Sequence, residues 1–422
     1  MRAVVIGTGP AGITAAITLR RLDPTGSVVA LSTEPFAPYS PPAMADHFLT
    51  GREDTLFWKE RDVAERFGID ERRAARVVGV DTDSHEVELS GGERIGFEGL
   101  VVASGSRVYA PLDGADLPGV LDFKSLSAAT ELIERVRRGE AKSALIVGNG
   151  FIGIELSLLL ADLGVDVTVI GRRRWVMPRV LDPVTSTIAE TALKARGVTL
   201  RLGVQAEAIV GDSTATGVRL ADGSRLDADL VVAATGVKPH TEFLEGTEIQ
   251  TGWGIYVDDG LATSVPGIVA AGDVAEAADW RTGERYVHAI FPNAVTQAPI
   301  AVANLLGAGL RYDGAEAMNS LKHLGVPIVA MGSIADFDEV LRWQDGGDVR
   351  AVYLSDGRVV GAQLAGDISA AGVYHSLMMR RAPVDHYGPR LVEPGFGMAD
   401  VAFDAMRYGP PDRASPICCS GR

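Results

Sequence analysis

One pattern occurs twice in this sequence and constrains the fold more tightly than anything else in the chain. The first copy reads AVVIGTGPAGITAAITLRRL followed by SVVALSTE (residues 3–34). The second reads SALIVGNGFIGIELSLLLADLG followed by VDVTVIGRRR (residues 143–174). Each is a short apolar run, a glycine cluster, a helix-periodic apolar stretch and a second apolar run. That is the order of a βαβ unit, which takes roughly 30 residues. In the second copy Gly164 stands where a glycine just past a helix C-terminus belongs. The repeat predicts an α/β chain with two Rossmann-like dinucleotide-binding domains.

The first cluster is Gly7-x-Gly9-Pro10-Ala11-Gly12. Gly7 permits the tight turn, Gly9 lets backbone approach a pyrophosphate, and Gly12 lets the helix pack close to the strand. The helix N-terminus favours the phosphate charge. Glu34 ends the second strand at about the 20-residue offset expected of a carboxylate that binds ribose hydroxyls. The second cluster is Gly148-x-Gly150-Phe151-Ile152-Gly153, in the same context. There the acid is missing, and Gly171 is followed by Arg172, Arg173 and Arg174. A carboxylate at this place repels a 2′-phosphate, whereas an arginine pairs with one. The expected cofactor of the second site is therefore NADPH in preference to NADH. The alternative is a solvated basic loop that accepts either.

The rest of the chain fits this plan. EVELSGGERIGFEGLVVASGS and ATGVRLADGSRLDADLVVAATG each read as a hairpin leading into a buried strand. From about residue 316 the pattern changes to alternating strands, with a hairpin turn at Asp356-Gly357 and a helix over ISAAGVYHSLMMRR, a separate α+β domain. The stretch from about Gly388, rich in Pro, Gly and Arg, reads as irregular. At 422 residues the chain exceeds one ordinary domain. The expected layout is 1–111 with 245–315 as the first nucleotide domain, 112–244 as the second, and 316–422 as an interface domain with an irregular tail. A net charge of −15 argues against nucleic acid and anionic membrane as partners. No apolar run reaches the roughly 18 residues of a membrane span. The only cysteines are Cys418 and Cys419, so a disulfide scaffold is excluded and a reducing cytoplasm is the expected compartment.

Further along, LATSVPGIVAAGDVAE delivers an apolar strand to Gly272-Asp273. Together with the two glycine clusters, VVASGSR and VAATGVKP, it makes five motifs in order over roughly residues 1–310. On these motifs the chain resembles the FAD/NAD(P) flavoproteins with two dinucleotide-binding domains, the pyridine nucleotide-disulfide oxidoreductase superfamily. The resemblance implies FAD at the first site, with Asp273 on its ribityl or phosphate part. It implies Pro42, Val77, Ala103, Ser104, Gly105 and Gly272 as further FAD residues, and Gly236 at the nicotinamide site. The stretch EPFAPYSPPAMA is most similar to the E-x-x-x-P-Y-x-R-P-P-L-S-K of the ferredoxin-reductase and nitrite-reductase-associated branches, in which Pro38-Tyr39 and Pro41-Pro42 fit and Ser40 and Ala45 replace the Arg and Lys. The resemblance also implies Glu155 near the flavin–nicotinamide contact and Phe291 over one flavin edge. Their plain alternatives are a helix-surface carboxylate and a core phenylalanine. His288 could contribute a proton at that edge.

The chain lacks the early C-x-x-x-x-C pair of the disulfide reductases, and the single cysteine that related oxidases carry near the position of Pro42. Thiol chemistry is left to Cys418 and Cys419. Adjacent Cα atoms are about 3.8 Å apart, and a relaxed disulfide wants roughly 4.4–6.8 Å. A bond between these two would be strained and readily reduced. They are candidate catalytic residues on a redox tail, or inert thiols on a loose terminus. The function implied is an enzyme that passes hydride from NAD(P)H to FAD and electrons on to a ferredoxin, rubredoxin or oxygenase-type partner, an activity compatible with a homodimer. One alternative is a reductase of small disulfide, thiol or soft-metal acceptors using Cys418 and Cys419. Another is an FAD-binding, redox-sensing interaction protein.

Overall fold

The structure, a computed structural model, describes residues 1–57 and 59–402, so Cys418 and Cys419 lie outside the described residues. The chain divides into two compact units. One comprises residues 1–172 and 204–316, and the other residues 173–203 and the described residues from Ala317 on.

The first unit holds two parallel sheets. In one, strand Arg2–Ile6 lies between Ser27–Leu31 and Gly99–Val102, with Asp70–Arg72 and Ile268–Ala270 at the edges. The sequences RAVVI, SVVAL and GLVV are near-continuous apolar runs because both faces of a parallel sheet are covered. Val4, Val5, Leu100, Val101 and Val102 are fully buried. Helix Pro10–Leu22 follows the first strand, with proline at a position whose N–H has no partner within a helix. The second sheet repeats the scheme, with Ser143–Val147 between Asp166–Gly171 and Leu230–Ala233, all parallel. Helix Phe151–Asp162 buries Ile154, Leu156, Leu158, Leu159 and Leu160, and Gly164 beyond it takes φ +84°. The predicted hairpins are present as antiparallel strands 77–81, 86–89 and 94–96, and 206–210, 217–220 and 225–227.

The second unit is built on a five-stranded antiparallel sheet in the order 318–321, 328–332, 358–365, 348–355, 339–345. Asp356 and Gly357 take φ +47° and +65°. Positive φ at both central residues is the requirement of a tight hairpin turn. Helix Ala371–Met379 is shorter than the predicted stretch.

The irregular reading from Gly388 needs correcting. Residues 385–392 form two short 3₁₀ turns that break at Gly388, which takes φ +50°, and residues 398–402 are helical. What orders this segment is the guanidinium of Arg350, which is 2% exposed. It donates to the Glu393 carbonyl at 2.9 Å and pairs with Asp367 at 2.5 Å. The Tyr374 hydroxyl donates to the Leu391 carbonyl at 2.7 Å. Among the described residues no helix is long and apolar enough to cross a membrane.

Asp182 anchors helix Pro183–Ala195 in this unit. Its carboxylate accepts the Thr185 N–H at 2.8 Å and the Tyr353 hydroxyl at 2.6 Å, and it pairs with Arg342. Burial opposes its charge, but Tyr353, the Thr185 N–H and Arg342 outweigh burial and hold the carboxyl below its ordinary range. A carboxyl depressed in the folded state contributes stability above its unfolded pKa, and that contribution is lost as pH falls through the folded value. Asp182→Asn should therefore lower unfolding stability at neutral pH by about 3 kcal/mol. The gap to the native protein should narrow below about pH 4, measured by urea unfolding at several pH values.

Candidate functional site

The first glycine cluster brings three backbone segments together. Gly7 leaves its strand at φ +101°, and a Cβ there would lie 2.2 Å from the Ala103 carbonyl oxygen. A Cβ on Gly12 would lie 1.8 Å from the Gly7 carbonyl oxygen. Neither position admits a side chain. Gly9 differs, because a Cβ there would meet nothing within 4 Å. Two glycines thus close the turn, while the third leaves an open backbone face at the start of a helix, the arrangement that accepts a pyrophosphate. Gly272 reaches the same place, since its Cβ would come 2.8 Å from that of Ala11.

The second cluster has the same construction. Gly148, at φ +128°, would carry a Cβ 2.1 Å from the Ala234 carbonyl oxygen, and Gly153 one 2.2 Å from that of Gly148. Gly150 and Gly236 each have nothing within 4 Å. Backbone hydrogen bonds set the two copies in register. The Gly7 N–H donates to Leu31 at 2.8 Å, and the Gly148 N–H to Ile170 at 2.9 Å. The Ala75 N–H donates to Ser32 at 2.7 Å, and the Val204 N–H to Gly171 at 3.0 Å. Gly171 is thus the counterpart of Ser32, and counting on two residues makes Arg173 the counterpart of Glu34. A Cβ at residue 171 would sit 2.5 Å from the Asn149 side chain, so no acid fits there. Arg172, Arg173 and Arg174 are all exposed.

Asp273 follows Gly272. Its carboxylate accepts the Lys124 ammonium at 2.8 Å and the Ser106 hydroxyl at 2.7 Å. Burial works against its charge, but Lys124 and Ser106 prevail and hold the carboxyl below its ordinary range. The Gly272 N–H is fixed by the Gln297 side chain at 2.8 Å. Ser104 donates to the His240 carbonyl at 2.8 Å, and the Gly105 carbonyl accepts the His240 N–H at 3.0 Å. Glu34 accepts hydrogen bonds from Tyr39 and Ser127.

The remaining candidates occupy separate elements. Pro42 lies in the 3₁₀ turn Pro41–Ala43, and Ala45 is buried in the helix that follows. Val77 begins a strand of the first hairpin sheet and pairs with Leu89. Glu155 lies half-buried on helix Phe151–Asp162, and Phe291 begins helix Phe291–Leu305. His288 lies 3.2 Å from Asp279. Burial raises the Asp279 carboxyl, but His288 and the Thr282 and Arg281 N–H groups bring it down to about 2.

Sequence reading missed Lys124, the contact of Ser106 with Asp273, and the bond from Tyr39 to Glu34. Lys124 and Ser106 stand 149 and 167 residues from the carboxylate they contact, and although Ser106 lies in VVASGSR, no local pattern pairs either with Asp273.

The family model described as pyridine nucleotide-disulphide oxidoreductase matches residues 1–303. The chain belongs to this family. It is an NAD(P)H-dependent flavin oxidoreductase. It is 28% identical over 393 residues to an NADH oxidase of Methanocaldococcus jannaschii, covering 87% of this chain and 88% of that protein. It is 29% identical to the ferredoxin–NAD(+) reductase component of the p-cumate 2,3-dioxygenase system of Pseudomonas putida, covering 94% of this chain and 98% of that one. Among solved structures, the ferredoxin reductase for the CYP199A2 system of Rhodopseudomonas palustris superimposes with a TM-score of 0.85 at 27% identity, covering 95% of this chain and all of that one.

The glycine geometry makes a direct prediction. Gly12→Ala must push the Gly7 carbonyl aside and should lower apoprotein stability by about 2 kcal/mol or more. Gly9→Ala meets open space and should cost well under about 1 kcal/mol. The urea midpoints of the two apoproteins check this. Equal midpoints would show that the close contact at Gly12 is not there.

Proposed function

We propose that residues 1–111 with 245–315 hold FAD, that 112–244 hold the nicotinamide nucleotide, and that the enzyme delivers electrons to a small iron–sulfur or rubredoxin-type protein. The observation that carries this is the pair of open backbone faces at Gly9 and Gly150, within one compact unit and in a chain with no cysteine before Cys418. When bound, FAD accepts a hydride from the nicotinamide and can return electrons one at a time. The protein's share is placement. The Gly9 and Gly150 backbones receive the pyrophosphates, and Glu34 receives a ribose. Asp273, held by Lys124 and Ser106, receives the ribityl or phosphate part. The aligned relatives named as ferredoxin reductases support a redox-protein acceptor. With no internal thiol pair, a disulfide acceptor would have to rely on Cys418 and Cys419.

The test of the acceptor is steady-state turnover with NAD(P)H and three acceptors: a [2Fe–2S] ferredoxin, a rubredoxin and oxidised glutathione. Turnover on an iron–sulfur or rubredoxin acceptor that survives Cys418→Ser with Cys419→Ser supports the proposal. Turnover confined to the disulfide, and abolished by the two substitutions, would replace it with the small-acceptor reading.

For the nucleotide, the register of the repeat supports NADPH. Arg173 stands at the counterpart of Glu34, with Arg172 beside it, so a 2′-phosphate would meet cations where the first site has an acid. Both relatives described above are named for NADH or NAD(+). The preference is therefore argued from this chain's own residues. Replacing Arg172 and Arg173 by Ala should raise KM for NADPH about tenfold or more, the loss of a charge-assisted hydrogen bond. KM for NADH should change less than about twofold. Equal changes would mean that the arginines do not read the 2′ position.

A further inference from the structure

Glu34 is held more firmly than a carboxylate at the end of a strand needs to be. Its Oε1 accepts the Ser127 backbone N–H at 2.9 Å and the Ser127 hydroxyl at 2.8 Å. Its Oε2 accepts the Tyr39 hydroxyl at 2.5 Å. The direction of the bond at Tyr39 is fixed. The Leu126 N–H donates to the phenolic oxygen at 3.0 Å, so the single hydroxyl proton goes to Glu34. Burial, and the charge of Glu34 beside it, push the Tyr39 hydroxyl far above its ordinary pKa, and it remains a donor.

These contacts also account for the start of helix Leu126–Arg137. The Leu126 N–H goes to Tyr39 and the Ser127 N–H to Glu34. The Ala128 N–H goes to the Ser125 hydroxyl at 3.2 Å, and the Ala129 N–H to the Ser125 carbonyl at 2.9 Å. A helix leaves its first N–H groups without internal partners. Here each has one, and a carboxylate at this end is favoured by the helix dipole.

A carboxylate offers about four acceptor positions, two on each oxygen. Ser127 fills both on Oε1, and Tyr39 takes one of the two on Oε2. We propose that Tyr39 and Ser127 are positioning residues for the adenosine ribose of FAD, leaving Glu34 a single acceptor position, so that it takes one of the two vicinal ribose hydroxyls and not both. The proposal rests on the assignment of Glu34 to the FAD ribose. It adds which residues orient the carboxylate and how many hydroxyls it reads. The same bonds tie the adenosine end of the cofactor to the helix that enters the second nucleotide fold.

The test is a fluorescence titration of apoprotein with FAD and with its 2′-deoxyadenosine and 3′-deoxyadenosine analogues. In the native protein one analogue should bind about tenfold more weakly than FAD, and the other within about twofold. Ser127→Ala keeps the backbone N–H but frees one position on Oε1, so both analogues should then bind more weakly than FAD. Tyr39→Phe likewise frees a position on Oε2, so both analogues should bind more weakly than FAD in that variant too. A merely structural role for Tyr39 would weaken all three ligands in parallel. Equal losses for the two analogues in the native protein, or an unchanged pattern in Ser127→Ala, would overturn the proposal while leaving FAD binding intact. A native pattern that persists in Glu34→Gln would show that the ribose is read elsewhere and would overturn the assignment of Glu34 itself.

Discussion

The structure depends on two places where backbone meets backbone with no side chain between them. At Gly12 the helix lies against the Gly7 carbonyl, and at Gly153 the second helix lies against that of Gly148. A methyl group at either place would separate the helix from its strand. The parallel sheets, the direction of the helix N-termini and the open faces at Gly9 and Gly150 all follow from these contacts. Close packing here is the condition for a nucleotide to approach the chain at all.

The two folds are copies in backbone but not in charge. The first carries Glu34 at the end of its second strand, and the second carries arginine at the matching register. Gly171, the counterpart of Ser32, leaves room for the Asn149 side chain, and two residues on the exposed Arg173 stands where the first fold has its acid. Asp273 shows the opposite tactic. A charge that burial would otherwise neutralise is kept ionised by Lys124 and Ser106, both far away in sequence.

Much of the fold was legible in the sequence, for a physical reason. Strands covered on both faces must be apolar throughout, so RAVVI, GLVV and SALIV announce themselves, and a glycine cluster between such a strand and a helix has few other uses. The turn at Asp356-Gly357 was legible because few residue pairs tolerate positive φ twice in succession. Residues 389–402 were less so. Their order draws on the buried Arg350 guanidinium meeting the Glu393 carbonyl across 43 residues, where composition alone suggested irregular backbone. The site was half legible: the glycines, Glu34 and Asp273 by motif, but not Lys124, nor what Tyr39 and Ser106 touch, because those contacts exist only once the chain has folded.

The central claim is that one compact unit carries both a flavin cradle and a nicotinamide cradle, set for hydride transfer. Anaerobic titration of the purified protein with NADPH, followed by the visible flavin absorbance, tests it most directly. The account predicts a yellow protein whose colour is bleached within seconds by one equivalent of reduced nucleotide. A protein that stays colourless when supplied with FAD, or one that holds FAD that neither NADPH nor NADH bleaches, would contradict it.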